Sequence, residues 1–268
     1  MAMQGNQGLR QMIQSSREVP LVMATSNIPS GDMIEIAGFA SFDLVMIDGE
    51  HGALSPRDIQ EMIRAADACG LPTIVRVPVA TKELILRALD SGAGGIVVPR
   101  INNREEALQV VAQCRYPPLG KRGSGMYVRA HHYTLIPESD AFAAADEVAV
   151  GVMIESEEGV ANAEEIISTP GVDFILVGPS DLAVDTGERV VGGNPWVEQA
   201  VERIGNLARE AGVPVGIPAP TPEIAKVYKD QGYNFFVTGL GPMLARSGVR
   251  YTQTMREALG VPSGRSVG

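Results

Sequence analysis

This chain has little cysteine, little histidine, a minority of positive charge and no long apolar run, and each shortage excludes something. Its 2 cysteines, Cys69 and Cys114, fall in stretches of helical period without CxxC spacing. Neither a zinc site nor a disulfide framework is indicated, and both are expected as buried free thiols. Lys and Arg number 22 against 32 Asp and Glu, a formal charge of -10. That balance disfavours a nonspecific nucleic-acid or anionic-membrane surface, while leaving room for a local basic pocket. No apolar run approaches the roughly 20 residues that span a bilayer, and the opening MAMQGNQGLRQMIQSS has no apolar secretory segment. The expectation is a cytoplasmic protein that acts on a small molecule. Low complexity is confined to polar ends, about 1–8 and 262–268, expected to be flexible around a single domain spanning 1–268.

What is present is a rhythm. With 45% hydrophobic and 20% charged residues, the chain can bury a sizeable core. After Pro20, short apolar runs alternate with longer segments of helical period. Glycine marks the handoff at Gly70, Gly92, Gly171, Gly212 and Gly232, where it can close a helix in the left-handed conformation. The runs LVMATS, LVMID, TIVRV, GIVVP, VAVGVMIE, FILVGPS, VPVGI and FFVTG predict eight parallel strands. Eight βα units in about 250 residues match a (β/α)8 TIM barrel, whereas an open doubly wound sheet more often uses fewer strands. Two longer connections interrupt the rhythm, residues 115–140 and GERVVGGNPW, and long loops in compact domains are commonly lids or interface arms.

In such a barrel the chemistry lies just past the carboxyl end of each strand. Those positions hold Asp48, Glu50 and His51 after the second run, Arg76 after the third, Arg100 after the fourth and Glu155 after the fifth. Gly178, Pro179, Ser180 and Asp181 follow the sixth, and Pro218 and Thr238 end the last two. Each acidic residue alone could be a helix N-cap. Arg76, inside the apolar IVRVP, requires an anionic partner because an unpaired buried guanidinium is costly. Together, one mouth holds a histidine, two arginines and four carboxylates. Two carboxylates without a histidine pair suit a hard divalent cation, Mg2+ or Mn2+, with open positions for water and substrate. Arginine beside that cation implies a bound anion, and the Gly178-Pro179-Ser180 turn offers backbone N–H groups to a carboxylate. Chemistry on a small 2-oxo acid follows. No lysine ends a predicted strand, so no Schiff base is indicated.

The ordered strings FDLVMIDGEHG (42–52), VRVP (75–78), LRALDSGAGGIVVP (86–99), RYPPLGKRGSG (115–125), VMIESEEGVAN (152–162) and GVDFILVGPSDLAVDTG (171–187) resemble the HpcH/HpaI family of metal-dependent class II pyruvate aldolases. The resemblance runs from about Pro20 to Leu259. It implies reversible retro-aldol cleavage of a 4-hydroxy-2-oxo acid to pyruvate and an aldehyde, through a pyruvate enolate stabilised at Mg2+ or Mn2+, with Co2+ a further candidate. Glu155 and Asp181 would be the metal ligands, and Arg76 would polarise the ketone and stabilise the enolate. His51 would be the acid-base, oriented by Asp90, with Asp48 and Glu50 in support. The backbone of Gly178, Ser180 and Asp181, beside Pro179, would hold the pyruvyl carboxylate. A homo-oligomer, commonly a hexamer, is implied, with the last helix packed on a neighbouring subunit; the sequence equally permits packing on its own barrel.

Several positions depart from the family pattern. Arg100 replaces a commonly uncharged residue, Met153 stands where some members have glutamine, the loop reads MYVRAHHYT, and the seventh strand ends PAPT at Pro218. These are expected at the mouth, with Arg100, Arg129, His131 or His132 meeting an acidic or hydroxylated aldehyde tail; alternatively, the loop histidines are surface or interface residues. A CoA-ester lyase of the citrate lyase β-subunit type and a noncatalytic 2-oxo-acid-binding barrel remain the competing readings.

Overall fold

The computed structural model describes residues 6, 8–187 and 193–262. All eight apolar runs form strands: β1 (Leu21–Ser26), β2 (Leu44–Asp48), β3 (Thr73–Arg76), β4 (Gly95–Val98), β5 (Ala149–Ile154), β6 (Phe174–Val177), β7 (Val215–Pro218) and β8 (Phe235–Gly239). They pair in parallel and in chain order, and β8 returns to β1 to close the barrel.

The period-two alternation of a strand explains how one sequence builds both core and site. Leu44, Met46, Ile74, Val97, Met153, Phe174, Leu176, Phe235 and Val237 fill one buried cluster inside the barrel. Their neighbours Val45, Ile47, Val75, Ile96, Val98, Val152, Ile154, Ile175 and Val177 pack outward against the helices in another. Continuing the inward phase past the cluster leads to Asp48 on β2, Arg76 on β3, Glu155 after β5 and Gly178 after β6. The polar residues therefore stand at the mouth by register. Inside the barrel, Gly151 leaves room for the Phe174 ring, since a Cβ there would stand 2.2 Å from a ring carbon.

The expected helices are present: α2 (Gly31–Phe39), α3 (Pro56–Ala68), α4 (Lys82–Asp90), α5 (Arg104–Cys114), α10 (Pro195–Ala211), α11 (Pro222–Asp230) and α12 (Leu240–Leu259). A capping box, Ser55 with Asp58, starts α3. Gly70, Gly92, Gly171, Gly212 and Gly232 all have φ between 67° and 100°, the left-handed region that a residue with a Cβ enters at a cost. Cys114 is buried, with its thiol pushed up to about 12 by desolvation, while Cys69 is only partly buried at the end of α3.

The N-terminal segment differs from expectation. Helix α1 (Leu9–Ser15) inserts Leu9 and Ile13 into the inner cluster, while Arg10 donates to Asp173 at 2.7 Å. Asn6, expected to be flexible, donates to the Gly92 carbonyl at 2.8 Å and accepts from the Thr73 N–H at 2.8 Å. The amino-terminal end of the barrel is thus closed by a helix too short to show a clear period. Residues 1–5, 7 and 263–268, also expected to be flexible, lie outside the described residues, as do 188–192 of the second long connection. The first long connection folds into a short 3-10 turn (Arg129–Thr134) and α6 (Glu138–Asp146); α7 (Glu157–Ala161), α8 (Ala163–Ile167) and α9 (Pro179–Asp185) complete the layer.

Candidate active site

The site is organised by an ion pair. Arg76 donates to both oxygens of Asp48, Nε to Oδ1 at 2.8 Å and Nη2 to Oδ2 at 2.6 Å. Its Nη1 lies 3.1 Å from Glu50 Oε2 and donates to Met153 Sδ at 3.8 Å. This is the anionic partner that the buried guanidinium required. Burial pushes the Asp48 carboxyl up, but Arg76 and the N–H groups of Glu50 and His51 together pull it below its ordinary value. Burial likewise works against the charge on Arg76, and Asp48, Glu50 and Glu155 more than compensate.

Asp48 also shapes the chain around it. Its Oδ1 accepts from Glu50 N–H at 3.0 Å and His51 N–H at 3.2 Å, folding GEHG back across the barrel end. The two glycines of that string are steric requirements: a Cβ on Gly49 would stand 2.8 Å from the Arg76 carbonyl oxygen, and one on Gly52 would stand 2.7 Å from that of Asn27. Asn27, which sequence reasoning missed, donates from Nδ2 to the His51 carbonyl at 2.6 Å. Its only signal is its place just past β1. The His51 side chain is 58% exposed, with Nε2 3.8 Å from Glu50 Oε2.

Glu155 is buried next to this group. Its Oε1 accepts from the Arg100 backbone N–H at 2.9 Å, while its Oε2 is buried without a hydrogen-bond partner. Desolvation, with the charge of Asp181 second, pushes its carboxyl up to about 7. Gly178 makes room between these carboxylates, because a Cβ there would stand 2.5 Å from Glu155 Oε2 and 3.5 Å from Asp181 Oδ2. A desolvated carboxylate oxygen facing a second carboxylate across a cradle without a side chain fits a hard cation. Among the described residues, no group of three or more His, Cys, Asp or Glu side chains surrounds a metal position. Two carboxylates are nevertheless what a Mg2+-type site supplies, leaving the other positions to water and substrate.

Helix α9 begins at Pro179, and the N–H groups of Ser180 and Asp181 stand in its first turn, where no intrahelical acceptor exists. Gly178 N–H, by contrast, donates to the Ile154 carbonyl at 3.4 Å and so continues the β5–β6 ladder. Of the three N–H groups anticipated for a backbone cradle, that of Gly178 is therefore engaged within the barrel, and those of Ser180 and Asp181 stand at the helix start. Pro218 stands exposed at the end of β7, and Arg100 reaches Asp185 at the rim.

Other expected mouth residues lie elsewhere. Asp90 ends α4, on the side that leads into the beginning of β4, whereas His51 follows the end of β2. Within one chain they occupy opposite ends of the barrel, and Asp90 accepts from Arg122 Nη2 at 3.0 Å. The carboxylate beside His51 is instead Glu50. Arg129 pairs with Asp67 at the end of α3 and donates to the Ser91 carbonyl. His131 is buried, with Nε2 3.0 Å from the Tyr116 hydroxyl, and His132 follows it with φ 49°. These residues line the far end of the same chain, because the long connection from α5 to β5 folds beneath the barrel.

The sequence profile of the HpcH/HpaI aldolase/citrate lyase family matches residues 24–246. The 5-keto-4-deoxy-D-glucarate aldolase of Shigella boydii serotype 18 is 38% identical over 209 residues, covering 76% of this chain and 79% of that protein. A crystal structure of an HpcH/HpaI aldolase/citrate lyase family protein from Burkholderia cenocepacia J2315 superposes with TM-score 0.87 at 33% identity, covering 92% of this chain and 99% of that one. That of an HpcH/HpaI aldolase from Desulfitobacterium hafniense DCB-2 gives 0.83 at 25% identity, covering 93% and 96%. With the profile spanning most of the barrel and the relatives matching along most of their length, this chain belongs to the HpcH/HpaI aldolase/citrate lyase family.

Proposed function

We propose that this chain is a metal-dependent class II aldolase that reversibly cleaves a 4-hydroxy-2-oxo acid to pyruvate and an aldehyde, with Mg2+ or Mn2+ (Co2+ a further candidate) held by Glu155 and Asp181. The observation that carries this reading is the buried, unpartnered Glu155 Oε2 facing Asp181 across Gly178, within the field of a rigidly held Arg76. When bound, the cation supplies Lewis-acid polarisation of the carbonyl that becomes the enolate.

The chain's own residues supply the rest. Arg76 is fixed by both oxygens of Asp48 before substrate arrives, so its positive charge needs no reorganisation as negative charge grows on the pyruvyl oxygen. The Ser180 and Asp181 amides orient the pyruvyl carboxylate. In cleavage the His51 imidazole, accessible at the mouth, takes the C4 hydroxyl proton and returns it in condensation, while Glu50 stabilises the imidazolium. Metal-stripped protein is expected to release no pyruvate from racemic 4-hydroxy-2-oxo acids in a lactate-dehydrogenase-coupled assay, and to recover when Mg2+ or Mn2+ is restored. Undiminished release in excess chelator would defeat the metal assignment.

The reading extends to a cytoplasmic homo-oligomer, with a hexamer as the assembly to test. No described helix is long and apolar enough to cross a membrane. Along α12 only Leu240 is buried, whereas Leu244, Val249, Tyr251, Met255 and Leu259 are exposed, an apolar surface that a second copy would cover. Asp90 and His51 stand at opposite ends of one barrel, so a pair between them joins two copies. Combining Leu244→Asp with Met255→Asp is expected to lower the mass measured by light scattering; an unchanged assembly would place α12 outside the interface.

A further inference from the structure

Glu155 and Asp181 carry like charge on separate elements, and the charge of Asp181 helps to push the Glu155 carboxyl up. Without a cation, that repulsion acts to part α9 from the end of β5. A second pair of residues spans the same gap. Asp185 closes α9, four residues beyond Asp181 and on the same helical face. A carboxylate at the carboxyl end of a helix is disfavoured by the helix dipole, and the last turn of α9 contains no basic residue. Its compensation comes from two other segments. Asp185 Oδ2 accepts from the Glu157 N–H at 2.8 Å, two residues past Glu155, and Oδ1 accepts from Arg100 Nη2 at 2.9 Å.

The Arg100 backbone N–H in turn donates to Glu155 Oε1 at 2.9 Å, so one residue holds Glu155 with its main chain and α9 with its side chain. It does so at φ 51°, in the left-handed region that a residue with a Cβ enters at a cost. The chain is anchored immediately afterwards, where the Ile101 N–H donates to the Met153 carbonyl at 3.1 Å. The Arg100 side chain is 54% exposed, and an ion pair open to that much solvent contributes little to global stability. What the pair fixes is position.

We propose that Arg100 and Asp185 form a clamp that fixes the separation of Glu155 and Asp181 and thereby sets cation affinity, without either residue touching cation or substrate. This rests on the metal assignment and deepens it by naming the positioning residues of that site. Mg2+ demands near-ideal octahedral geometry, whereas Ca2+ accepts longer and more flexible coordination. A clamp on the spacing of two carboxylates therefore favours the smaller ion, and loosening it costs Mg2+ more than Ca2+.

The test is titration calorimetry of the metal-stripped whole protein with Mg2+, Mn2+ and Ca2+. Charge alone and the clamp predict opposite signs at Arg100. Removing a positive charge beside two carboxylates would tighten every cation. Arg100→Met is instead expected to raise the Kd for Mg2+ about tenfold, the lower end of what losing support for a metal ligand costs, and that for Ca2+ about threefold or less. Asp185→Ala is expected to match it for Mg2+, although the two substitutions change the net charge in opposite directions. The double variant is expected to lose no more than either single one, since each alone opens the clamp. Arg100→Lys, which keeps a cation for Asp185, is expected to restore most of the affinity. Urea unfolding of the metal-free variants is expected to keep its midpoint; a lowered midpoint with unchanged affinity would mark the pair as structural and overturn the proposal. Unchanged or tighter Mg2+ binding in Arg100→Met would overturn it too, with the metal assignment left standing. If the unsubstituted protein binds none of the three ions, the metal assignment itself fails, and the clamp with it.

Discussion

Glu155→Ala is expected to reduce metal-dependent pyruvate release at least about 10³-fold, because it removes one of two protein ligands from a centre that supplies several kcal/mol of transition-state stabilisation. Titration calorimetry with Mn2+ should show the loss of affinity in parallel. Glu155→Gln sharpens the test. Its amide oxygen can still accept from the Arg100 N–H that now meets Oε1, so the loop geometry survives while the charge disappears. In metal-free protein the same substitution is expected to increase stability in urea unfolding, since it removes a desolvated charge facing Asp181. Opposite signs for function and stability identify a residue held in place for ligand binding. Full activity in Glu155→Gln would remove Glu155 from the site.

The second large effect is expected at Arg76. Arg76→Ala leaves Asp48 buried and without its cation, a loss on the order of 3–5 kcal/mol in stability, and it removes the fixed charge that faces the developing enolate, worth about 10²–10³ in kcat. Arg76→Lys should fall between, because one ammonium cannot reproduce the two parallel hydrogen bonds to Asp48. The pH dependence has a definite sign. Asp48 has a folded-state value below its ordinary 3.8, so its contribution is present above the unfolded value and is lost as pH falls through the folded one. The stability difference between the unsubstituted protein and Arg76→Met should therefore narrow in acid. A gap that stays constant from neutral pH to below the carboxylate range would mean that the Asp48–Arg76 pair is not its source.

Much of the architecture was legible because a parallel barrel repeats one pattern. Apolar run, polar strand end, helix and glycine recur often enough that all eight strands can be located. The inward phase of each strand then places Asp48, Arg76 and Glu155 together, and Gly178 and Asp181 follow at the next strand end. Isolated features were less legible. Helix α1 makes only two turns, so Leu9 and Ile13 provide too little period to mark it. Asn27 acts through one hydrogen bond to a backbone carbonyl, which leaves no pattern of residue types. The long connection from α5 to β5 misled for another reason: its arginine and histidines have the chemistry of a substrate loop, yet nothing local indicates which end of the barrel it covers.

The sequence by itself determined the barrel, the inward phase of its strands and the set of charged residues at the strand ends, because periodicity and strand-end position are local properties. Only the tertiary structure decided how those charges pair. It gave Arg76 to Asp48 and left Glu155 Oε2 without a partner, directed the Gly178 N–H into the β5–β6 ladder, and took Asp90 and His131 to the far end with Arg122 and Tyr116. Those assignments depend on distances between segments far apart in the chain and on which side chains lose water together, neither of which is encoded in any one stretch of residues.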